Sequence, residues 1–212
     1  MDKSVWVIKV GGSLMNAPAL KHWLDIFVQF SNGRVVIVPG GGIFADAVRI
    51  AQLQTGISDA MAHQLAIKAM DQYGLLLTDI NPNLAIASSE LELAERSWQH
   101  RAIIWLPSHM ALIDNQIPEN WDMTSDSLAA WLANKLGAEQ LILLKFKKPK
   151  KTNLNQLRKE KFIDGYFAKF IQNQVFSTWI LSKDDYPCFE EGLSFEKLNQ
   201  IAIKLETSNE IF

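Results

Sequence analysis

Two short apolar runs each break off at consecutive glycines, Val7-Ile8-Lys9-Val10-Gly11-Gly12-Ser13-Leu14 and Val35-Val36-Ile37-Val38-Pro39-Gly40-Gly41-Gly42. Each reads as a buried strand stopped by a tight turn. Between them Leu20, Trp23, Leu24 and Phe27 recur at helical spacing after Pro18, the pattern of an amphipathic crossover helix. Strand 5–10, helix and strand 34–38 form a βαβ unit with a right-handed connection, so the sheet is expected to be largely parallel and the fold class α/β.

The alternation continues along the chain. Phe44, Ala45, Val48 and Ala51 mark a helix ended near Gly56, and Ser58 caps another through Tyr73. Residues 89–98 read as a helix and 102–106 as a strand before Pro107. The hydroxyl-rich, acidic run Thr124-Ser125-Asp126-Ser127 opens a helix that Gly137 ends, and Leu141-Ile142-Leu143-Leu144 is a strand closed by Lys145. Residues 145–161, rich in lysine around Pro149, read as a mobile loop. A helix over 162–172, a last strand over 176–181 and a terminal helix over 195–205 complete the expectation.

With 212 residues the chain is long enough for one α/β domain with two lobes. Its 21 basic against 23 acidic residues give no global field for nucleic acid. Cys188 stands alone, which excludes an internal disulfide framework and fits a reducing cytosol. Met1-Asp2-Lys3-Ser4 runs into the first strand without a signal-peptide pattern, and no apolar run approaches the roughly 20 residues of a membrane span. A cytoplasmic protein without membrane partner is therefore expected. Seven tryptophans point to packing or a subunit contact.

The glycine runs carry the chemistry. Backbone N–H groups at glycines converge closely on an anion, and a following helix adds its dipole, so Gly11, Gly12, Ser13 and Gly40, Gly41, Gly42 suggest two phosphate cradles. Taken singly, each is equally a plain strand-to-helix turn. Lys9 would place a positive charge where phosphate oxygens gather it during transfer. In an open α/β sheet the carboxyl ends of the strands share one crevice, and Lys145 lies at such an end. Asp126, at a helix start, either accepts hydrogen bonds from both lysines or merely caps its helix. Asp46 and Arg49, at i and i+3, suit an acceptor's cationic and anionic groups, or pair on the surface. His63 is a substrate contact or a structural histidine. Lysines of the 145–161 stretch, Lys148 among them, could close over a nucleotide. The Walker loop, the Gly-x-Gly-x-x-Gly fingerprint and the Gly-x-Ser-x-Gly elbow are all absent, and His22, His100 and His109 show no metal-ligand spacing.

The ordered set Lys9-Val10-Gly11-Gly12-Ser13, Pro39-Gly40-Gly41-Gly42, Thr124-Ser125-Asp126 and Leu143-Leu144-Lys145 resembles the amino acid kinase superfamily over roughly the first 145 residues. The resemblance implies a three-layer α/β/α sandwich that binds ATP with Mg2+ held through the nucleotide phosphates; a small-molecule substrate and a homo-oligomer, dimer or higher, are expected as its partners. It assigns catalysis to Lys9, Asp126 and Lys145, with Asp126 organising the lysines. Gly11, Gly12, Ser13, Thr124, Lys145 and Lys148 fall on the nucleotide side; Gly40, Gly41, Gly42, Asp46, Arg49 and His63 fall on the acceptor side. Residues 1–120 would be the acceptor lobe and 121–212 the nucleotide lobe.

The segments Pro39 to Arg49, His63 to Gly74 and Trp121 to Ser127 are similar to a narrower branch. Its members act in methanofuran or methylofuran synthesis, phosphorylating 5-(aminomethyl)furan-3-yl methyl phosphate to its diphosphate. Other acceptors of the superfamily, namely UMP, isopentenyl phosphate or an acyl amino acid, stay open, as does a non-catalytic nucleotide-binding regulator. After Lys145 the chain departs from the superfamily: Phe146-Lys147-Lys148-Pro149 replaces the usual Asp-Gly turn, and Ile163-Asp164-Gly165 appears later.

Overall fold

In the computed structural model, which describes residues 4–172 and 174–205, strand β1 (Trp6–Val10) lies at the middle of a seven-stranded sheet ordered β3-β4-β2-β1-β5-β6-β7. The first three residues, where no signal pattern was read, lie outside the described ones. β1 pairs in parallel with β2 (Val35–Pro39) on one side and β5 (Gln140–Lys145) on the other, Val10 standing opposite both Pro39 and Leu144. That register brings both glycine loops and Lys145 to the same edge of the sheet.

The sheet is covered on both faces, which is why its central strands are apolar but for Lys9 and the two ends of β5, Gln140 and Lys145. Alternate residues sort by face. Trp6, Ile8 and Val10 face a core completed by Leu20, Trp23 and Phe27 of α1 (Ala19–Phe30). Val7, Val36, Leu141 and Leu143 face a second core under Leu128, Trp131 and Leu132 of α6 (Ser125–Lys135). Lys9, two residues after Val7, shares the α6 face by the period of a strand. Here a charge interrupts the apolar pattern, and here Asp126 meets it.

β2 runs through the glycines into α2 (Gly42–Thr55), which packs on α3 (Asp59–Ile80). The expected Ser58 cap forms, its side chain accepting from the Met61 amide at 3.2 Å. α3 continues a full two turns beyond Tyr73, through Gly74, where a Cβ would come within 2.7 Å of the Leu106 side chain. The glycine is a packing residue, and the helix passes it. β3 (Ala85–Ala87) and the one-turn α5 (Ser108–Ala111) are too short for periodicity to announce. Between them lie α4 (Glu90–Trp98) and β4 (Ile103–Trp105).

The carboxyl part departs most from expectation. The lysine-rich stretch is not all loop: Asn153 caps α7 (Leu154–Lys159), and Leu157 anchors it with a fully buried side chain. The helix expected over 162–172 is only α8 (Phe167–Ile171), because Asp164 and Gly165 shape the chain before it. β6 (Ser177–Ser182) is not the last strand. α9 (Phe195–Ile201) stops short, and β7 (Ile203–Leu205) turns back antiparallel on β6. Ile203 and Leu205 then point into the α6-side core, and β6 is paired on its outer edge. Of the tryptophans, Trp105 and Trp131 are buried, Trp121 is half-buried, and Trp98 is exposed. No helix among the described residues is long and apolar enough to cross a membrane.

Candidate active site

The two glycine loops form one cradle rather than two. The amide of Gly11 donates to Leu144 O at 3.0 Å and that of Gly40 to Val10 O at 2.8 Å, so strand pairing continues into both turns. This draws the loops backbone to backbone: a Cβ on Gly12 would lie 2.3 Å from Gly42 N, and one on Gly40 2.5 Å from Gly12 N. Gly41 is right-handed (φ −84°, ψ −27°) and Gly42 left-handed (φ +52°), the alternation that turns successive N–H groups into an anion-binding concavity. It opens at the N-terminus of α2, where the helix dipole favours the same charge.

Beside it lies a buried charge network. Asp126, in the first turn of α6, accepts from Lys9 Nζ at 3.0 Å through Oδ1 and from Lys145 Nζ at 2.8 and 2.6 Å through its two oxygens. Lys145 gives its remaining N–H to the Phe162 carbonyl at 2.8 Å, which saturates the ammonium. Among the described residues, Lys9 has Asp126 as its one salt-bridge partner. Burial alone would raise the Asp126 carboxyl, yet Lys145 and then Lys9 outweigh it and hold the group at about 2. Burial pulls Lys145 down to about 8 against the pull of Asp126.

One residue that organises this site escaped the sequence reading as a functional group. Asp164 accepts from Thr124 N (3.0 Å), Thr124 Oγ1 (2.7 Å), Ser127 N (3.0 Å), Phe167 N (3.0 Å) and the Ser127 hydroxyl. It caps α6 from 40 positions away and starts α8 as well. Burial, followed by the charge of Asp126, raises its carboxyl above the usual range. The local signal was present in Ile163-Asp164-Gly165; its target was not.

Two clefts flank the network. The first, about 410 Å³, is lined by Gly12, Ser13, Gly41, Gly42, Asp46 and His63, with an apolar floor from α3 and α6. The second, about 580 Å³, is lined by Asp126, Lys145, Arg158, Lys161, Phe162 and Asp164. Arg49, Trp121 and Thr124 line both. Gly12 and Ser13 thus border the cleft of the second glycine loop, on the side expected for the acceptor, while Gly11 is occupied by its bond to β5. Lys148 lines neither cleft: its ammonium is bound by Asp185 at 3.0 Å and the Ile201 carbonyl at 2.7 Å. It ties the start of the basic stretch to the C-terminal elements.

Asp46 and Arg49 pair at 2.9 Å at the mouth of the first cleft. His63 is buried, its Nε2 3.1 Å from the Met123 carbonyl, which makes Nε2 the donor; Nδ1 is buried without a partner among the described residues. Burial lowers its pKa, so the ring is neutral at pH 7.

Residues 4–146 match the amino acid kinase family. The chain belongs to that family. It is 32% identical over 138 residues to the [5-(aminomethyl)furan-3-yl]methyl phosphate kinase of Methanocaldococcus jannaschii, a match that covers 65% of this chain and 63% of that protein. The chain therefore spans under two thirds of this relative's length. Solved structures share the fold at low identity. The uridylate kinase of Archaeoglobus fulgidus superposes with a TM-score of 0.61 at 20% identity, over 84% of this chain and 90% of that one. The aspartate kinase of Synechocystis gives 0.58 at 16%, over 85% and 38%.

Within this amino acid kinase family member, the chemistry available is electrostatic. Asp126, ionised and tied to two lysines, is too weak a base to take a proton, and neutral His63, its Nε2–H given to the Met123 carbonyl, keeps its one lone pair on a buried Nδ1. What the site offers is a backbone concavity for an anion, cationic side chains at fixed positions, and a carboxylate that holds them there.

Proposed function

We propose that the chain is an ATP-dependent kinase whose phosphoryl acceptor is a phosphate monoester, [5-(aminomethyl)furan-3-yl]methyl phosphate, with the diphosphate as product. The observation that carries this reading is the Lys9–Asp126–Lys145 network set against the interlocked glycine loops, in a chain 32% identical to the kinase named for that compound. Asp126, tied to both lysines, is no base, and this acceptor class needs none. A phosphate monoester has its second pKa near 6, so its attacking oxygen is already anionic at neutral pH and needs no proton removed.

In this reading residues 1–120 supply most of the acceptor cleft and 121–212 most of the nucleotide cleft, with Trp121 and Thr124 reaching into the first and Arg49 into the second. The amides of Gly41 and Gly42 cradle the acceptor phosphate in the first cleft, Gly40 and Gly12 keep the loops in register, and Ser13 adds a hydroxyl. Arg49 takes the acceptor phosphate and Asp46 its ammonium, with His63 on the wall. Thr124, Lys145, Arg158 and Lys161 face the nucleotide. Mg2+, entering on the nucleotide phosphates, would neutralise part of their charge. The acceptor oxygen forms its bond to the γ-phosphorus as the bond to the ADP oxygen breaks, the electron pair leaving with ADP. Lys9, with N–H groups beyond the one given to Asp126, stabilises the charge on the equatorial oxygens. Lys145, saturated by Asp126 and Phe162, sets the position and charge of Asp126. A cytoplasmic location belongs to the same reading, in keeping with the lone Cys188.

The test is mass spectrometry of products from purified protein with Mg-ATP and the aminomethylfuran phosphate, UMP or acetylglutamate. A diphosphate from the furan compound alone, absent with Lys9→Met, is the expected result. Transfer to UMP or acetylglutamate instead would move the acceptor elsewhere in the family. ATP binding without transfer to any of them would favour a regulatory protein.

A further inference from the structure

Arg49 is the one cationic side chain lining the first cleft among the described residues, and it lines the second as well. On the kinase reading, a guanidinium there borders the space between the acceptor and nucleotide clefts. Its orientation is set from two sides. Nη1 donates to Asp46, one turn back on α2, at 2.9 Å, and the guanidinium carbon lies 4.4 Å from the centroid of the Trp121 ring.

Trp121 is itself fixed. Its indole N–H donates to Gln52 Oε1 at 2.7 Å, and the Gln52 amide donates to Asp59 Oδ1 at 2.7 Å, at the start of α3. The chain of contacts Asp59–Gln52–Trp121–Arg49–Asp46 thus joins α2 to the loop that leads, five residues on, to Asp126. α2 needs such a tie, since Ala45 is its only buried residue.

Resting on the reading above, we propose that Trp121 is a positioning residue that holds Arg49 at the junction of the two clefts, so that one guanidinium serves both the acceptor phosphate and the phosphoryl group in transfer. A guanidinium stacked on an aromatic face keeps its in-plane N–H groups free for oxygens at its edge, which a lysine ammonium does not reproduce. With Asp46 on one edge, the others are left for phosphate oxygens. Charge spread over the transferred group makes a fixed cation at that point more effective in the transition state than in the ground state.

The experiment is steady-state kinetics with Mg-ATP and the aminomethylfuran phosphate on the full chain and on Arg49→Ala, Arg49→Lys, Trp121→Leu, Trp121→Phe and the double variant Arg49→Ala/Trp121→Leu. Trp121→Leu should lower kcat on the order of 10- to 100-fold, the scale set by misplacing a transition-state group, while Trp121→Phe, which keeps an aromatic face, recovers most of it. The double variant should be no slower than Arg49→Ala alone, because Trp121 acts through Arg49. Guanidinium ion added to Arg49→Ala should restore part of the rate only while Trp121 is present. Gln52→Leu, which cuts the tether and leaves the indole, covers the case in which Trp121→Leu does not fold, and should likewise lower kcat. Losses that multiply in the double variant, or a rise in acceptor KM with kcat intact, would overturn the proposal while leaving the kinase reading in place. No transfer by the unsubstituted chain would overturn both.

Discussion

At the scale of single residues the site rests on one carboxylate. Asp126 is buried, and leaving two ammonium groups beside it without their counter-charge costs on the order of 3–5 kcal/mol, the price of breaking a buried pair. Asp126→Asn should therefore destabilise the fold as well as abolish transfer. Its pH dependence separates this from simple loss of packing. The folded carboxyl is held at about 2, below its ordinary value of 3.8. Its contribution is accordingly complete above pH 4 and is lost as pH falls toward 2, an amount on the order of 2 kcal/mol. Urea unfolding across that interval should show the slope in the parent chain and a shallower one in Asp126→Asn. Lys145 titrates in the opposite window. Held at about 8 against an ordinary 10.5, it is neutral in the folded chain and charged in the unfolded one between those values. The unfolded state then binds more protons, so this group adds stability as pH rises through the window. An alkaline unfolding series on Lys145→Met, in which that rise disappears, checks it.

Between elements, Asp164 does what no local cap could. The Thr124 side chain, at the position expected to cap α6, donates to Asp164 instead of accepting from its own helix. Asp164→Ala would strand buried donors at the starts of α6 and α8, each worth about 1–3 kcal/mol when unsatisfied. We expect a large fall in the urea midpoint together with a fall in kcat, since the start of α6 carries Asp126. Lys148→Met serves as the contrast. It cuts the tie to Asp185 and Ile201, so stability should drop modestly while the affinity for ATP, measured by calorimetry, stays within a few-fold of the parent. These pairs also mark where sequence reading runs out. The contact of Asp126 with Lys9 and Lys145 was legible because a charge inside an apolar strand and an acid at a helix start each carry a local signal. Lys148, and Asp164 in its hold on α6, depend on partners 37 or more positions away, and no periodicity encodes such a distance. Short strands fail for a related reason. β3 and β7 have three residues each, and their pairing with a neighbour, not their own pattern, makes them strands.

Across the whole molecule, the parallel sheet was readable from two apolar runs joined by a helix, because a βαβ crossover leaves few alternatives. What the chain order could not convey is that in-register pairing of β1 with β2 and β5 presses the glycine loops together and gathers Lys145 beside them. The consequence is a site assembled from segments at 9–13, 40–49, 121–127 and 145–165, each held by the fold rather than by its own loop. A ligand that bridges these segments stabilises the native state by mass action. At 100 times its Kd, Mg-ATP should contribute about 2.7 kcal/mol, a rise in Tm of roughly 5–10 °C for a chain of this size. Lys9→Met should keep most of that rise, because the residues of the second cleft remain, while losing on the order of 10²–10³ in kcat, the scale of removing one preorganised donor to transition-state charge. Scanning calorimetry of the two proteins with and without nucleotide tests this division between binding and chemistry. If Lys9→Met loses both the thermal shift and the turnover, Lys9 holds the ground state as strongly as the transition state, and the electrostatic argument for its catalytic role fails.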